Sequence, residues 1–157
     1  MPLAKLCRFL DENGADYAFI SHSPAFTAQE VAASAHIPGR QVAKTVMVKV
    51  DGKMVMAVLP ALYEVDLESL REAVGAARAE LAQEEEFTAL FPDCTPGGMP
   101  PFGNLYGLDV LVDPSLAEDE EIAFNAGNHR DMIRMPYADF ERLVQPTVVP
   151  FAETARV

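Results

Sequence analysis

Hydrophobic and polar positions follow two different periods along this chain, and the two periods predict helices and strands in a mixed order. Apolar side chains recur at helical spacing from Leu3 to Leu10, and Asn13-Gly14 follows as a helix stop. Two runs rich in β-branched residues, Val42 to Val50 and Lys53 to Leu59, flank Asp51-Gly52, which favours a type I′ hairpin turn. The first part of the chain therefore predicts a helix and a hairpin.

Capping residues and periodicity predict the remaining elements. Thr27 and Glu30 have the spacing of a capping box, and Asp66 and Gly75 bracket a helical pattern. The other predicted elements are strands at Tyr17–Ser21, Leu108–Val112, Glu121–Asn125 and Met132–Met135, and helices at Thr27–Ala35, Gln83–Phe91 and Tyr137–Val144. Hairpins mixed with helices favour an α+β fold with a mixed sheet over a doubly wound α/β fold.

Composition narrows the class of protein. The chain has 157 residues, half of them hydrophobic, and its 12 basic and 24 acidic residues give a formal net charge of −12. That length suits one domain over residues 1–157, and no apolar run is long enough to span a bilayer. The amino-terminal segment lacks the apolar core of a signal peptide, so we expect a cytoplasmic protein. The negative charge argues against a bulk, sequence-blind nucleic-acid binder, and we expect no DNA partner.

The cysteines and histidines do not have the spacing of a metal or redox site. Cys7 and Cys94 form neither a disulfide framework nor a zinc pattern, and the three histidines have no metal-ligand spacing. We therefore expect no metal and no cofactor.

Lys44 is the one cation in an otherwise apolar row. Alternation along the strand places it on one face with Val42, Val46, Val48 and Val50. A lysine near a strand end can simply extend to water. Alternatively, its ammonium projects into a pocket and meets an anion such as a phosphate.

Two irregular segments could line such a pocket. Residues 91–103 contain four prolines and three glycines, a composition typical either of a surface loop or of a stiff loop whose N–H groups face a ligand. Cys94 lies in this loop without an adjacent base, so a nucleophilic role is not expected. The segment Asn125 to Arg130 can be a plain turn or a polar wall with His129. His22, in the turn before Pro24, fits a structural role at least as well as a catalytic one.

Taken together, these segments resemble the YbaK family, which is related to the editing domain of bacterial prolyl-tRNA synthetase. The matching segments are His22-Ser23-Pro24 with the Thr27–Glu30 cap, Val42-Ala43-Lys44-Thr45-Val46, Val58-Leu59-Pro60-Ala61, Gly97-x-x-x-Pro101, Val110-Leu111-Val112-Asp113 and Ala126-Gly127-Asn128-His129. The resemblance spans nearly the whole chain in the family's order. It implies a mixed, barrel-like sheet around a pocket, enclosed by helices.

The resemblance also implies an activity, namely hydrolysis of the ester between a wrong, small amino acid (alanine, cysteine or serine) and the 3′ end of a tRNA. In this family the substrate's own 2′-hydroxyl is thought to assist, so no protein nucleophile is needed. The implied catalytic residues are Lys44, Gly97 and Gly98, and the implied substrate-binding residues are His22, Thr45, Met99, Pro101, Gly127 and His129. The implied partners are the 3′ end of an aminoacyl-tRNA and an aminoacyl-tRNA synthetase.

In a second interpretation, the same pocket binds a ligand but catalyses no reaction. In that case the chain is a non-catalytic regulatory module that binds a small ligand or a nucleotide. A Lys44 ammonium held by an internal carboxylate would favour this alternative.

Overall fold

The computed structural model describes residues 2–21, 41–95, 98–118, 120–128 and 131–154. The helices in this part of the chain are α1 (Pro2–Glu12), α2 (Leu67–Val74), α3 (Glu84–Phe87) and α4 (Tyr137–Val144). Short 3-10 turns cover Thr88–Leu90, Gly103–Tyr106 and Pro114–Glu118. The strands are β1 (Ala18–Ser21), β2 (Ala43–Val50), β3 (Lys53–Pro60), β4 (Tyr63–Val65), β5 (Ala79–Leu81), β6 (Asp109–Val112), β7 (Glu121–Asn125), β8 (Asp131–Pro136), β9 (Thr147–Val148) and β10 (Ala152–Thr154).

Local sequence signals account for the ends of these elements. Asp51 and Gly52 have φ angles of 50° and 82°, as the predicted type I′ turn requires between β2 and β3. The Asp66 carboxylate accepts hydrogen bonds from the amides of Glu68 and Ser69, and Gly75 closes α2 in the left-handed conformation. The helix predicted over 83–91 is shorter than expected, because a 3-10 turn replaces its second half.

The strands form three sheets. A five-stranded sheet has the order β5-β2-β3-β6-β9, in which the β3–β6 and β6–β9 pairs are parallel. A three-stranded antiparallel sheet has the order β1-β8-β7, and β4 pairs with β10. The predicted α+β class is thus confirmed, but no sheet closes on itself, so the barrel-like prediction holds only loosely. The short strands β4, β5, β9 and β10 were not predicted.

Two hydrophobic cores lie on opposite faces of the β2–β3 hairpin. The main core contains Ala43 and Met47 of β2 and a group of aromatic rings in which Phe102 packs against Phe9, Phe124 and Phe140. The second core contains Val48, Val55, Leu59, Leu70, Leu111 and Phe151. Because alternate β2 residues enter different cores, the face on which each side chain lies is fixed by its position in the strand.

Candidate active site

Lys44 lies near the start of β2, opposite Leu59 of β3. Its neighbours Ala43 and Met47 enter the main core, so its own side chain is on the opposite face, as alternation predicted. Partial burial lowers the pKa of the Lys44 ammonium, and the charge of Glu64 only partly opposes this effect. Among the described residues, no carboxylate lies within ion-pair distance of Lys44. The lysine is therefore a partly desolvated cation that forms no ion pair with these residues.

The third strand of the smaller sheet runs beside this lysine. Val42 forms a parallel bridge with Ala123 of β7, and the Ala123 amide donates to the Gln41 carbonyl at 2.9 Å. In β7, Phe124 faces the main core, so Ala123 and Asn125 lie on the same side as Val42 and Lys44. Asn125 and Lys44 each lie two residues beyond this bridge, on the same side of their strands.

Asn125 has a chemical feature that the sequence did not reveal. Its Oδ1 atom is buried and has no hydrogen-bond partner among the described residues. An unpartnered buried acceptor costs about 1–3 kcal/mol, so a ligand that donates a hydrogen bond would relieve this cost. This carboxamide comes to the side of Lys44 through the bridge between Val42 and Ala123, which are far apart in sequence.

The predicted glycine loop and the segment at Gly127 are brought together. The Gly127 amide donates to the Gly98 carbonyl at 2.8 Å, and the Thr95 amide donates to the Gly127 carbonyl at 2.8 Å. A Cβ atom on Gly98 would lie 2.8 Å from the backbone of Asn128, so only glycine permits this approach. The two loops therefore hold each other in a fixed arrangement.

These hydrogen bonds determine which N–H groups of the loop are available to a ligand. The Gly98 amide already donates to the Thr95 carbonyl at 2.8 Å. The catalytic role that the resemblance implies for Gly98 stays a prediction. Pro100 and Pro101 have no N–H group. Between Gly98 and Pro101, this leaves the Met99 amide, which donates to no acceptor in the described part of the chain.

The other predicted residues occupy different environments. The Met99 side chain is 4% exposed and packs in the main core, so this residue can reach a substrate only through its main chain. Pro101 is buried beside it. Thr45 pairs with Val58 and lies on the face opposite Lys44, so the structure does not bring these two side chains together. His22, Gly97, His129 and the helix predicted at Thr27–Ala35 lie outside the described residues.

Cys94 is held in a polar cluster at the base of the loop. Its Sγ atom lies 3.5 Å from the Tyr106 hydroxyl and 3.8 Å from a carboxylate oxygen of Asp93. Burial raises the pKa of the Cys94 thiol, which disfavours the thiolate needed for attack. Tyr106 in turn packs against the Phe91 ring at 4.6 Å. The cluster anchors the base of the loop.

A separate cavity of about 470 Å³ lies at the far end of the hairpin, around Val50, Lys53, Val74 and Gln145. Of the predicted site residues that the structure describes, none lines it, and Lys53 is already paired with Asp109 at 2.6 Å. In the described ranges, no group of three or more metal-ligating side chains could hold an ion, and no helix is long and apolar enough to cross a membrane.

Comparison with known proteins gives consistent matches. A family model described as "Aminoacyl-tRNA editing domain" matches residues 22–143. The multifunctional Ser/Thr-tRNA deacylase ProXp-y of Escherichia coli (strain K12) is 34% identical over 156 residues, which cover 96% of this chain and 93% of that protein. A proline–tRNA ligase of Bacillus cytotoxicus is 30% identical over 127 residues, and the match covers 74% of this chain but 22% of the ligase.

A solved structure has the same fold. It is described as a candidate trans-editing enzyme for prolyl tRNA synthetase, and it superposes with a TM-score of 0.81 over 97% of both chains at 21% sequence identity. At that level of identity the likeness establishes the architecture alone.

Proposed function

The chain belongs to the aminoacyl-tRNA editing domain family, and we propose from this that it hydrolyses the ester bond of mischarged aminoacyl-tRNA. The observation that carries the proposal is Lys44, a partly buried ammonium without a carboxylate partner in the described part of the chain. The alternative of a non-catalytic module would have been favoured by an internal carboxylate bound to this lysine. The absence of such a partner among the described residues supports the main proposal.

In the proposed arrangement, three groups of this chain contact the substrate. The Lys44 ammonium binds a phosphate of the 3′-terminal nucleotide, because a desolvated cation gains most from an anion. The Asn125 Oδ1 atom accepts a hydrogen bond from the α-ammonium or a hydroxyl of the aminoacyl group. The Met99 amide donates to the carbonyl oxygen as it becomes negatively charged. Gly98 and Gly127 keep these groups in position.

The reaction then needs no covalent intermediate on the protein. A water oxygen attacks the ester carbonyl carbon, and the bond from that carbon to the ribose oxygen breaks. The ribose oxygen takes a proton as it leaves, and the free amino acid departs as the other product. An aminoacyl ester is already activated, so positioning and oxyanion stabilisation supply the catalysis. His22, Gly97 and His129 stay candidates for further contacts on the basis of the family resemblance.

The proposed substrates are tRNAs charged with small amino acids. The E. coli relative is named a Ser/Thr-tRNA deacylase, and serine is also among the amino acids expected from the sequence. We therefore propose serine first, then threonine, alanine and cysteine. The match to proline–tRNA ligases makes a synthetase a reasonable second partner. Because charged tRNA is used in translation, we propose that the protein acts in the cytoplasm. We also propose that residues 1–157 act as one editing domain.

A pair of lysine variants tests the role of Lys44. Lys44→Met keeps the length of the side chain and removes the charge, so kcat/KM for seryl-tRNA should fall about 10- to 100-fold, the value of one hydrogen bond to a charged group. Lys53→Met is the matched control, because Lys53 is an exposed strand lysine at the far end of the same hairpin. Equal rates for the two variants would exclude Lys44 from the site.

A further inference from the structure

A second cation lies on the same side of the strands as Lys44. In β8, Ile133 and Met135 face the main core, so Arg134 between them faces the opposite side. Arg134 is paired in register with Ala123, and Ala123 forms the bridge to Val42. Arg134 and Lys44 therefore project from the same face, which also carries Asn125.

The spacing lets both cations act on one bound molecule. Lys44 and Arg134 are separated by two strand-to-strand steps of about 4.8 Å and by an offset of two residues of about 3.3 Å each. Their Cα atoms therefore lie roughly 12 Å apart. Both side chains are long and flexible, and both are partly buried. Their charged groups can thus approach the same short stretch of a ligand.

This face carries two cations of an acidic chain. Elsewhere in the described part of the chain, four basic side chains pair with carboxylates, namely Lys49–Glu86, Lys53–Asp109, Arg71–Glu68 and Arg142–Asp139. Lys5 instead donates to the Leu105 carbonyl and lies over the Tyr106 ring. Among the described residues, neither Lys44 nor Arg134 has a carboxylate within ion-pair distance. With 24 acidic residues in the sequence, two partly buried cations that form no ion pair within the described part of the chain make this face locally positive.

We propose that Arg134 is a second phosphate-binding residue, which contacts the RNA backbone next to the phosphate held by Lys44. The inference rests on the proposed function, because it takes the 3′ end of a tRNA as the ligand. A guanidinium suits this task, since it is always charged and can donate two parallel hydrogen bonds to phosphate oxygens.

The test compares Arg134→Gln with Arg78→Gln and Arg134→Lys. Arg78 is an exposed arginine near the hairpin turn, where its amide donates to Asp51, so its variant loses the same charge far from Lys44. Seryl-tRNA hydrolysis is measured over a series of salt concentrations. For Arg134→Gln we expect KM to rise about 3- to 10-fold with kcat nearly unchanged. The slope of log kcat/KM against log salt should become shallower by about 0.7, the value for one lost contact to a single strand.

The conservative variant and the control complete the design. Arg134→Lys should retain the slope of the native protein, and Arg78→Gln should match the native protein in both KM and slope. An Arg134→Gln variant with a native slope would overturn the inference. A fall in kcat with an unchanged slope would also overturn it, because that result indicates a structural role.

A binding measurement separates this inference from the proposed activity. Fluorescence anisotropy with uncharged tRNA follows the same salt slope without any hydrolysis. If the native protein binds this tRNA with a slope that depends on Arg134 but releases no amino acid, the phosphate contact stands and the hydrolase proposal fails. If binding of uncharged tRNA is absent or independent of Arg134, the inference on Arg134 fails whatever the hydrolysis assay shows.

Discussion

At the scale of single residues, Gly98 is required because it has no Cβ atom. Its carbonyl accepts from the Gly127 amide, and any Cβ atom would collide with the Asn128 backbone. The site is thus held by a contact between two main chains, and side chains reach it from the neighbouring strands β2 and β7.

Gly98→Ala should separate the two loops. We expect kcat/KM to fall at least about 10-fold and the free energy of unfolding to fall by about 1–3 kcal/mol, as for other overpacked positions. Gly14→Ala is the control, because Gly14 has a φ of 67° but nothing within 4 Å of its missing Cβ atom. This control should lose about 1–2 kcal/mol of stability through backbone strain and keep its activity. Native activity in a folded Gly98→Ala variant would refute the role assigned to the loop contact.

Tyr137 has a buried hydroxyl without a hydrogen-bond partner. Burial, with a smaller contribution from Glu141, raises its pKa to about 12. Tyr137→Phe removes the unpartnered group while keeping the ring that packs on Phe140. We expect the free energy of unfolding to stay the same or to rise by about 1 kcal/mol in chemical denaturation. A loss above about 1 kcal/mol would show that the hydroxyl has a partner in solution.

At the scale of elements, Asp113 ties the carboxyl-terminal segment to the end of β6. It is 5% exposed and accepts hydrogen bonds from the amides of Phe151 and Ala152 at 2.8 and 2.9 Å, and from Ser115. Burial alone would raise the pKa of this carboxyl, but the hydrogen bonds outweigh burial and lower it. The carboxylate thus stabilises the fold above its unfolded pKa of about 3.9. This contribution is lost as the pH falls through the lower pKa of the folded state.

Asp113→Asn should therefore lower the free energy of unfolding by about 1.5–3 kcal/mol at pH 7. The difference from the native protein should shrink as the pH is lowered below about 4. Asp109→Asn, which removes an exposed carboxylate paired with Lys53, should change stability by less than about 1 kcal/mol. Denaturation curves at several pH values measure both variants. A deficit in Asp113→Asn that persists unchanged at pH 2.5 would contradict this assignment.

The elements that the sequence predicted are those with local signals. The β2–β3 hairpin, the capped helix α2 and the carboxyl-terminal helix α4 each carry a turn, cap or periodicity within a few residues. The strands β4 and β10 are too short to show alternation, and they form only by pairing with each other across a long separation in sequence. The sequence suggested Lys44 because its charge breaks an apolar row. Asn125 approaches Lys44 through a tertiary contact, so no local pattern could reveal it, whereas Met99 is among the residues that the family resemblance already implies.

At the scale of the whole molecule, the net charge of −12 limits how the protein can hold RNA. Binding over a large part of a tRNA body would need many phosphate contacts, and its affinity would depend strongly on salt concentration. Lys44 and Arg134, which form no ion pair among the described residues, suit contacts to one end of the RNA only. We expect log Kd for uncharged tRNA to change with log salt by a slope of about 1.4, twice the value for a single contact. A slope steeper than about 4 would show that other surfaces bind the RNA.

The most direct test of the account is release of amino acid from charged tRNA by the native protein. With enzyme in excess, tRNAs carrying serine, threonine, alanine or cysteine are compared with a tRNA carrying its correct, larger amino acid. We predict release of serine fastest among these, and a release about 10- to 100-fold slower in Lys44→Met. The contradicting result is release of no amino acid from any of the small-amino-acid tRNAs, while the protein remains folded and still binds uncharged tRNA.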